Sequence, residues 1–400
     1  GSGLVVSEMC IRDSHNAIWI HAASVGEVVA ASPIVRELKK RYPKEMVVVS
    51  VVTATGHRMA QRIMPEADGH IFFPFDLPVI TERIVNIVNP KAIILIETEL
   101  WPNFLRLAWR KNIPVMMMNG RISDRSMKRY SLIRRFTSRM LLQIKKFCMQ
   151  SGIDAKHIIS MGALSDRVTI TGNTKYDETY AEVSEEEKQQ LRHEFHFDGK
   201  GPVIVAGSTH NGEEEIILRI FGKILKEYPD ARLLLAVREI TRALSVRFLV
   251  KHFGYSVLRR SKMGTEEDDG RGHQVIILDT IGELGRLYSL ADVVFVGGSF
   301  VKVGGHNILE PAAHGKPVLV GPYMFNFREI FDLLSKRGVC RMAQNESELE
   351  KTLRDLLAHP EKMKAMGEAA LSVVAENQGA TKRNVDTFAK LAEKYKIDLM

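Results

Sequence analysis

Between Val296 and Pro322 the chain reads VGGSFVKVGGHNILEPAAHGKPVLVGP, and its polar residues are spaced for nucleotide chemistry. The run Asp292–Val296 has the composition of a buried parallel strand and ends in Gly297-Gly298-Ser299. A second pair, Gly304-Gly305, precedes His306-Asn307 at an expected helix start, and Glu310-Pro311 follows. Glycines let backbone N–H groups approach a ligand closely, and a helix N-terminus favours an anion. Asn307 and Glu310 are three apart, so on a helix they share a face. A carboxylate there repels phosphate, but it can accept two hydrogen bonds from a ribose diol. The stretch therefore predicts a nucleotide site, with amides near phosphate and Glu310 on the sugar. The competing reading is a tight strand–loop–helix turn whose glycines only permit packing.

Carboxylates suited to moving a proton lie in the first half. Glu27 closes the loop Ala23-Ser24-Val25-Gly26-Glu27, between an apolar strand, Ala17–Ala22, and a helix over Val28–Arg41. Glu97 and Glu99 follow the apolar run AIILI, and Pro102 suits the first turn of the next helix. A carboxylate near a helix start is held as an anion, so Glu27 is expected to be ionised at neutral pH. Each also has a purely structural reading, with Glu27 supporting the first helical turn, Glu97 or Glu99 capping a helix, and Trp101 in the core. In the second half Gly207-Ser208-Thr209-His210 follows the strand Val203–Ala206, and Arg238 ends the strand Leu233–Val237. Asp279-Thr280-Ile281-Gly282-Glu283-Leu284 makes a further strand-to-helix turn.

The elements that must position these residues alternate throughout. Apolar runs at 17–22, 46–52, 71–75, 92–96 and 115–118 are separated by amphipathic helical segments, which predicts an α/β fold built on a doubly wound parallel sheet. Right-handed crossovers place the strand C-termini on one edge, where such sheets bind ligands. The pattern restarts after a polar stretch and a capping box at Ser184-Glu185-Glu186-Glu187. The expected organisation is a first domain over 15–180, a second over 181–378, and a C-terminal helix over 379–400 that packs back on the first. Gly1–Ser14 has no period and no cap leading into the first strand, and reads as a leader foreign to the fold.

A chain of 400 residues with 45% hydrophobic and 26% charged content describes a globular protein of two ordinary domains. No apolar run approaches the roughly 20 residues of a spanning helix. The three cysteines, Cys10, Cys148 and Cys340, are far apart, which argues against structural zinc, and no metal is expected. Neither GxGxxG after a strand nor GxxxxGK[ST] occurs, and there is no Gly-x-Ser-x-Gly or His-Glu-x-x-His; these absences weaken dehydrogenase, P-loop, hydrolase and zinc-protease readings. Charge is concentrated in one place. From Arg121 to Lys146 there are nine basic residues, among them Arg125, Arg134, Arg135 and Arg139, against the single acid Asp124. That balance equals the net +8 of the whole chain and points to a localised anionic partner. Ile133, Phe136, Met140, Ile144 and Phe147 recur at helical spacing through it, predicting an apolar stripe flanked by arginines. The plainer alternative is a surface helix with a solvated face.

Seven motifs then occur in order: His21–Glu27, Phe73-Pro74-Phe75-Asp76, Glu97–Asn103, Asn119–Ser123, Gly172–Asp177, Ala206–His210 and Gly297–Pro322. The series resembles the 3-deoxy-D-manno-oct-2-ulosonic acid (Kdo) transferases of lipopolysaccharide synthesis, from about His15 to the C-terminus. The resemblance implies a GT-B glycosyltransferase, two Rossmann-like domains facing a central cleft. It implies inverting transfer of Kdo from CMP-Kdo to the lipid A precursor (lipid IVA) at the cytoplasmic face of the inner membrane. Glu27 is then the expected general base, with Glu97 and Glu99 orienting the acceptor or supporting the base. Gly207, Ser208, Thr209, Arg238, Gly282, Glu283, Leu284, Gly298, Ser299, Asn307 and Glu310 are expected to bind the donor. Ser24, Gly26, Arg121, Arg125, Arg134, Arg135 and Arg139 are expected on the acceptor and membrane side. No cofactor and no nucleic acid is expected. Two departures stand out. The apolar anchor helix usual at the family's N-terminus is absent or replaced by Gly1–Ser14, and Glu239 stands where the family tends to have the histidine of Pro-Arg-His. The closest rival is a GT-B transferase or epimerase using another nucleotide sugar. A more distant one is a non-catalytic lipid- or nucleic-acid-binding protein, which would need neither Glu27 nor Glu310.

Overall fold

The computed structural model describes residues 16–122, 126–127, 130, 133–177, 183–199, 201–268, 270 and 272–399. The expected leader Gly1–Ser14, and Arg125 of the basic segment, lie outside the described residues. The chain forms two compact units, Gly1–Thr179 together with Asn377–Met400, and Tyr180–Glu376.

The first unit is built on seven strands: β1 (Ile18–His21), β2 (Val47–Val51), β3 (Gly69–Phe72), β4 (Ala92–Ile96), β5 (Val115–Gly120), β6 (Lys146–Met149) and β7 (Val168–Ile170). They pair in parallel in the order β3-β2-β1-β4-β5-β6-β7. β1, β2 and β4 are buried along their whole length, as expected of strands covered by helices on both faces. Alternate side chains divide between two cores, Trp19 and Leu95 on one face, Ile18, Ile20 and Ile94 on the other. The C-terminal helix Ala380–Tyr395 completes the second core with Val385, Phe388 and Leu391. Asp177 anchors its start by accepting the backbone N–H groups of Gly379 and Thr381.

Topology creates the first site. From β1 the chain winds outward to β2 and β3, then crosses back to β4 on the other side of β1. Helices connect these strands on opposite faces, so a crevice opens beyond the C-terminal ends of β1 and β4. Glu27 follows β1; Glu97 and Glu99 follow β4.

The second unit repeats this plan with β8 (Val203–Thr209), β9 (Arg232–Val237), β10 (Val257–Arg259), β11 (Val275–Leu278), β12 (Val293–Val296), β13 (Val318–Val320) and β14 (Cys340–Met342). The order is β10-β11-β9-β8-β12-β13-β14, again parallel, and the crevice lies between β8 and β12. Three residues without glycine's freedom take left-handed backbone at strand ends: Glu97 (φ 57°), Asn119 (φ 54°) and Ser208 (φ 57°). Asn119 and Ser208 sit where the pairing register shifts, between Met117 and Gly120 and between Ala206 and Thr209. Such backbone costs about 1–3 kcal/mol per residue and clusters at functional sites.

The basic segment differs from the single apolar stripe expected of it. The helix covers only Arg134–Leu141; Met140, Ile144 and Phe147 are buried, Phe147 inside β6, whereas Ile133 and Phe136 are half exposed. Helical spacing cannot carry through a strand whose side chains alternate. Arg134, Arg135 and Arg139 are all exposed.

The C-terminal helix gives this architecture a direct test. Phe388 is fully buried in the second core of the first unit, so Phe388→Ala should cost about 3–5 kcal/mol. Phe248 is 72% exposed, and Phe248→Ala should stay within about 0.5 kcal/mol. Urea unfolding of the two variants checks the contrast.

Candidate active site

In the first unit, Ser24 and Glu27 hold one another. Ser24 is the N-cap of the helix Val25–Arg41 and its Oγ accepts the Glu27 N–H at 3.4 Å. The Ser24 hydroxyl in turn donates to Glu27 Oε1 at 2.7 Å, and the Ala23 N–H donates to Oε2 at 2.8 Å. This is a capping box closed through a side-chain hydroxyl, so the structural role open to Glu27 exists in the fold. It does not keep the carboxyl ionised. Burial pushes the Glu27 carboxyl up to about 7, and the charges of Glu99 and Glu97 add to the shift against the pull of Ser24 and Ala23. The expectation of a fully ionised Glu27 is therefore corrected. Only 8% of the residue is exposed, and helix-terminus stabilisation loses to desolvation beside two other carboxylates.

Those carboxylates have partners of their own. Lys175 Nζ lies 3.1 Å from Glu97 Oε1, and a Cβ built on Gly26 would come within 4.0 Å of the same ammonium. Glu99 Oε2 accepts the Trp101 indole N–H at 2.9 Å, and His21 Nε2 lies 3.1 Å from that indole nitrogen and 3.8 Å from Glu99 Oε2. Buried His21 is fixed from behind by Ser50, whose Oγ is 2.9 Å from His21 Nδ1 and accepts the Trp19 indole N–H at 2.8 Å. Glu99 thus belongs to a network running into the core, and Trp101 is both packing and partner. Asp76 caps the helix Pro102–Arg110 by accepting the N–H groups of Asn103 and Phe104, each at 2.9 Å. Arg121 lies beyond β5, where its carbonyl accepts the Thr98 hydroxyl. Lys175 and His21 join the site, although the sequence alone assigned neither a role in it.

In the second unit the switch point gathers Ser208, Thr209 and His210 from β8 and its loop, Arg238 after β9, Gly297–Ser299 after β12, and His306, Asn307 and Glu310 beyond. The expected use of the β12 amides is corrected. Gly298 N–H donates to Glu213 Oε2 at 2.8 Å, and Ser299 N–H and Phe300 N–H donate to Oε1 at 3.0 and 2.9 Å. His210 N–H also donates to Glu213 Oε2, at 2.9 Å. A fully buried carboxylate of the chain itself therefore occupies this nest of amides. The Ser299 hydroxyl is likewise committed, donating to Val296 O at 2.6 Å and accepting Gly321 N–H at 2.8 Å. Thr209 is fully buried. Gly207 is glycine for packing, since a Cβ there would lie 2.1 Å from the Tyr288 hydroxyl.

What remains open to a ligand is cationic and polar. Arg238 is exposed, and its guanidinium hydrogen-bonds none of the described residues. Asn307 Nδ2 donates to Glu310 Oε1 at 3.2 Å, while Asn307 Oδ1 accepts Leu309 N–H at 3.0 Å and so starts the short helix Leu309–Ala313. Burial raises the Glu310 carboxyl above the usual range, opposed by the Asn307 hydrogen bond and the Arg238 charge. Gly285 borders this carboxylate, since a Cβ built there would lie 3.9 Å from Glu310 Oε2. Gly285 directly follows the Gly282-Glu283-Leu284 turn. Glu283 itself is committed: Arg260 donates to it at 2.9–3.3 Å, and despite burial these bonds and the Thr280 hydroxyl hold its carboxyl below the ordinary range.

Two parallel-sheet α/β units, each carrying polar groups at its switch point, define a GT-B protein. The UDP-GlcNAc 2-epimerase of Neisseria meningitidis has the same fold, with a TM-score of 0.61 at 17% identity over 94% of this chain and 100% of that one. Residues 4–178 match the family described as 3-deoxy-D-manno-octulosonic-acid transferase (kdotransferase), and residues 208–373 match glycosyl transferases group 1. The 3-deoxy-D-manno-octulosonic acid transferase of Haemophilus influenzae is 39% identical over 94% of this chain and 87% of its own. That of Bordetella pertussis is 31% identical over 92% and 86%. The chain belongs to the Kdo transferase family of glycosyltransferases.

The Glu27 carboxyl supplies a prediction free of any substrate. Carbon-13 NMR of labelled glutamate should show it titrating near pH 7, and Glu99→Gln should move that inflection downward by removing a like charge. The linkage has a sign: the folded state keeps this proton after the unfolded chain loses it near 4.5, so Glu27's contribution to stability falls as pH rises towards about 7. An inflection in the ordinary carboxylate range would refute this environment.

Proposed function

We propose that this chain transfers Kdo from CMP-Kdo to a hydroxyl of the lipid A precursor lipid IVA, with inversion at the anomeric carbon. The observation that carries the reading is the buried Glu27 carboxyl, held by Ser24 and Ala23 at the switch point of the first unit in a chain of the Kdo transferase family. An inverting transfer needs one base to take the acceptor's proton as its oxygen attacks, and such a base works best when its pKa is near the working pH. Glu97, clamped by Lys175, and Glu99, clamped by Trp101, are positioned to orient the acceptor and to keep Glu27 a strong base through their charge.

The donor reading rests on the second unit. Arg238 is an exposed cation for an anionic leaving group, and amides already satisfied by Glu213 leave that task to side chains. Asn307 and Glu310 form a polar pair suited to ribose hydroxyls. The acceptor's phosphates and an anionic membrane surface account for Arg134, Arg135 and Arg139, exposed on a short helix with Phe136 and next to Ile133. On this reading the enzyme works at the cytoplasmic face of the inner membrane. No helix of the described residues is long and apolar enough to cross a membrane.

The two halves of the reading separate by mutation. Glu310→Ala should weaken CMP binding by about 1.5–3 kcal/mol in calorimetry, as expected for hydrogen bonds to a charged group. Glu27→Gln should leave CMP binding intact and lower turnover by at least about 10²-fold. Unchanged CMP affinity in the first variant would move the ribose elsewhere, and near-normal turnover in the second would take the base away from Glu27.

A further inference from the structure

Two histidines from separate loops of the second unit meet near Arg238. His210 Nε2 lies 2.8 Å from His306 Nε2, and the ring planes are inclined by only 2°. Two ring nitrogens at hydrogen-bond distance require a proton on one and a lone pair on the other. The neutral pair therefore holds one proton between the two rings, and a second proton makes it a hydrogen-bonded imidazolium. The geometry is imposed from both sides. The His210 backbone N–H is tied to Glu213 at 2.9 Å, and the His306 ring rests on Gly298, where a Cβ would lie 2.9 Å from Cδ2 and 3.0 Å from Nε2. Both residues are partly exposed.

The charges around the pair oppose the second proton when the site is empty. Burial, then the Arg238 charge, then His210 push His306 down to about 4. The acids nearby do not offset this. Glu213 is spent on backbone amides, Glu214 is paired with Arg242 at 2.9 Å, and Glu310 is hydrogen-bonded to Asn307 and coupled to Arg238. Lys302 and Glu239 are exposed on flanking segments. An anion seated against Arg238 would cancel the cation's effect and add an attraction of its own, so arrival of the ligand favours the second proton.

We propose that the His210–His306 pair takes up a proton when the anionic donor binds and gives it to the phosphate of the departing nucleotide. This rests on the reading of the donor as a sugar ester of a nucleoside monophosphate. In the step, the bond from the anomeric carbon to the phosphate oxygen breaks and its electron pair stays on phosphate, taking that group from one negative charge to two. A proton passes from the imidazolium to a phosphate oxygen and leaves the pair neutral. The acceptor's oxygen forms the new bond to carbon and its proton passes to the base, so one proton is given and one is taken. The pair thereby supplies the leaving-group stabilisation that the occupied β12 amides cannot.

The test uses the full chain with CMP as the probe and cytidine, which lacks phosphate, as the control. Nitrogen-15 NMR of labelled histidine at pH about 7 should show the His210–His306 pair gaining one imidazolium with CMP and remaining neutral with cytidine. Calorimetry in buffers of different ionisation enthalpy should show proton uptake on CMP binding, lost in His306→Gln and in His210→Gln. Turnover of either variant should fall about 10²-fold with the alkaline limb of its pH profile displaced, while CMP affinity changes less than about tenfold. If CMP binds and both imidazoles stay neutral, the pair is not the acid and the proposal is overturned, with the nucleotide reading intact. If CMP binds to neither parent nor variants, the nucleotide reading falls and takes the proposal with it.

Discussion

A carboxylate with no exposure to water must find nearly all of its hydrogen bonds inside the protein, and Glu213 finds four backbone N–H groups. Three come from the loop after β12 and one from the loop after β8, so a single side chain ties together the two strand ends that frame the second crevice. Removing it would strand four amides as well as the space it fills, which places it among the costly substitutions. The left-handed Ser208, the close passage of Gly297 past Ser208 O (2.6 Å from a Cβ built there), and the meeting of His210 with His306 all lie on the segments that this tie joins. It also bears on charge. Since the chain supplies its own anion to the amides, the proposed reading gives an incoming anion to Arg238 and the imidazoles.

The first unit treats its key carboxylate in the opposite way. Glu27 has two donors, Ala23 N–H and the Ser24 hydroxyl, and two like charges nearby. Burial that a carboxylate with four donors can offset is here only partly offset, and it pushes the Glu27 carboxyl up to about 7. Capping and the proposed catalysis are therefore compatible roles for Glu27. The cap fixes the carboxyl in one rotamer, and the incomplete pairing sets its proton affinity. Lys175 and the Trp101–His21–Ser50 chain hold Glu97 and Glu99 in place so that their charges act on Glu27 at fixed positions.

Most of the frame was legible in the sequence because parallel strands covered on both faces leave uninterrupted apolar runs. The strands Ala92–Ile96, Val168–Ile170 and Val275–Leu278 have the bounds that their composition implies. The edge strands Val257–Arg259 and Cys340–Met342 were not legible, since an arginine interrupts each short apolar run. Glycine pairs pointed correctly to the place of the second crevice and wrongly to the fate of its amides. Nothing in Glu213-Glu214-Glu215 distinguishes the residue that enters the nest from the one that pairs with Arg242. Helical spacing carried the stripe Ile133–Phe147 through a turn into a strand, where only the fold separates exposed Phe136 from buried Phe147. His21 and Lys175 sit inside two of the seven motifs, but their roles come from contacts with residues about 80 positions away, which spacing cannot express.

The central claim is that this chain joins Kdo to a lipid hydroxyl using a cytidine monophosphate ester as donor. Incubating the protein with CMP-Kdo and the tetra-acylated lipid A precursor, and weighing the extracted lipid by mass spectrometry, tests it in one step. The account predicts that the lipid gains the mass of Kdo and that free CMP accumulates in step with it. A lipid of unchanged mass alongside an active control transferase, or transfer only from a different nucleotide sugar, would contradict it.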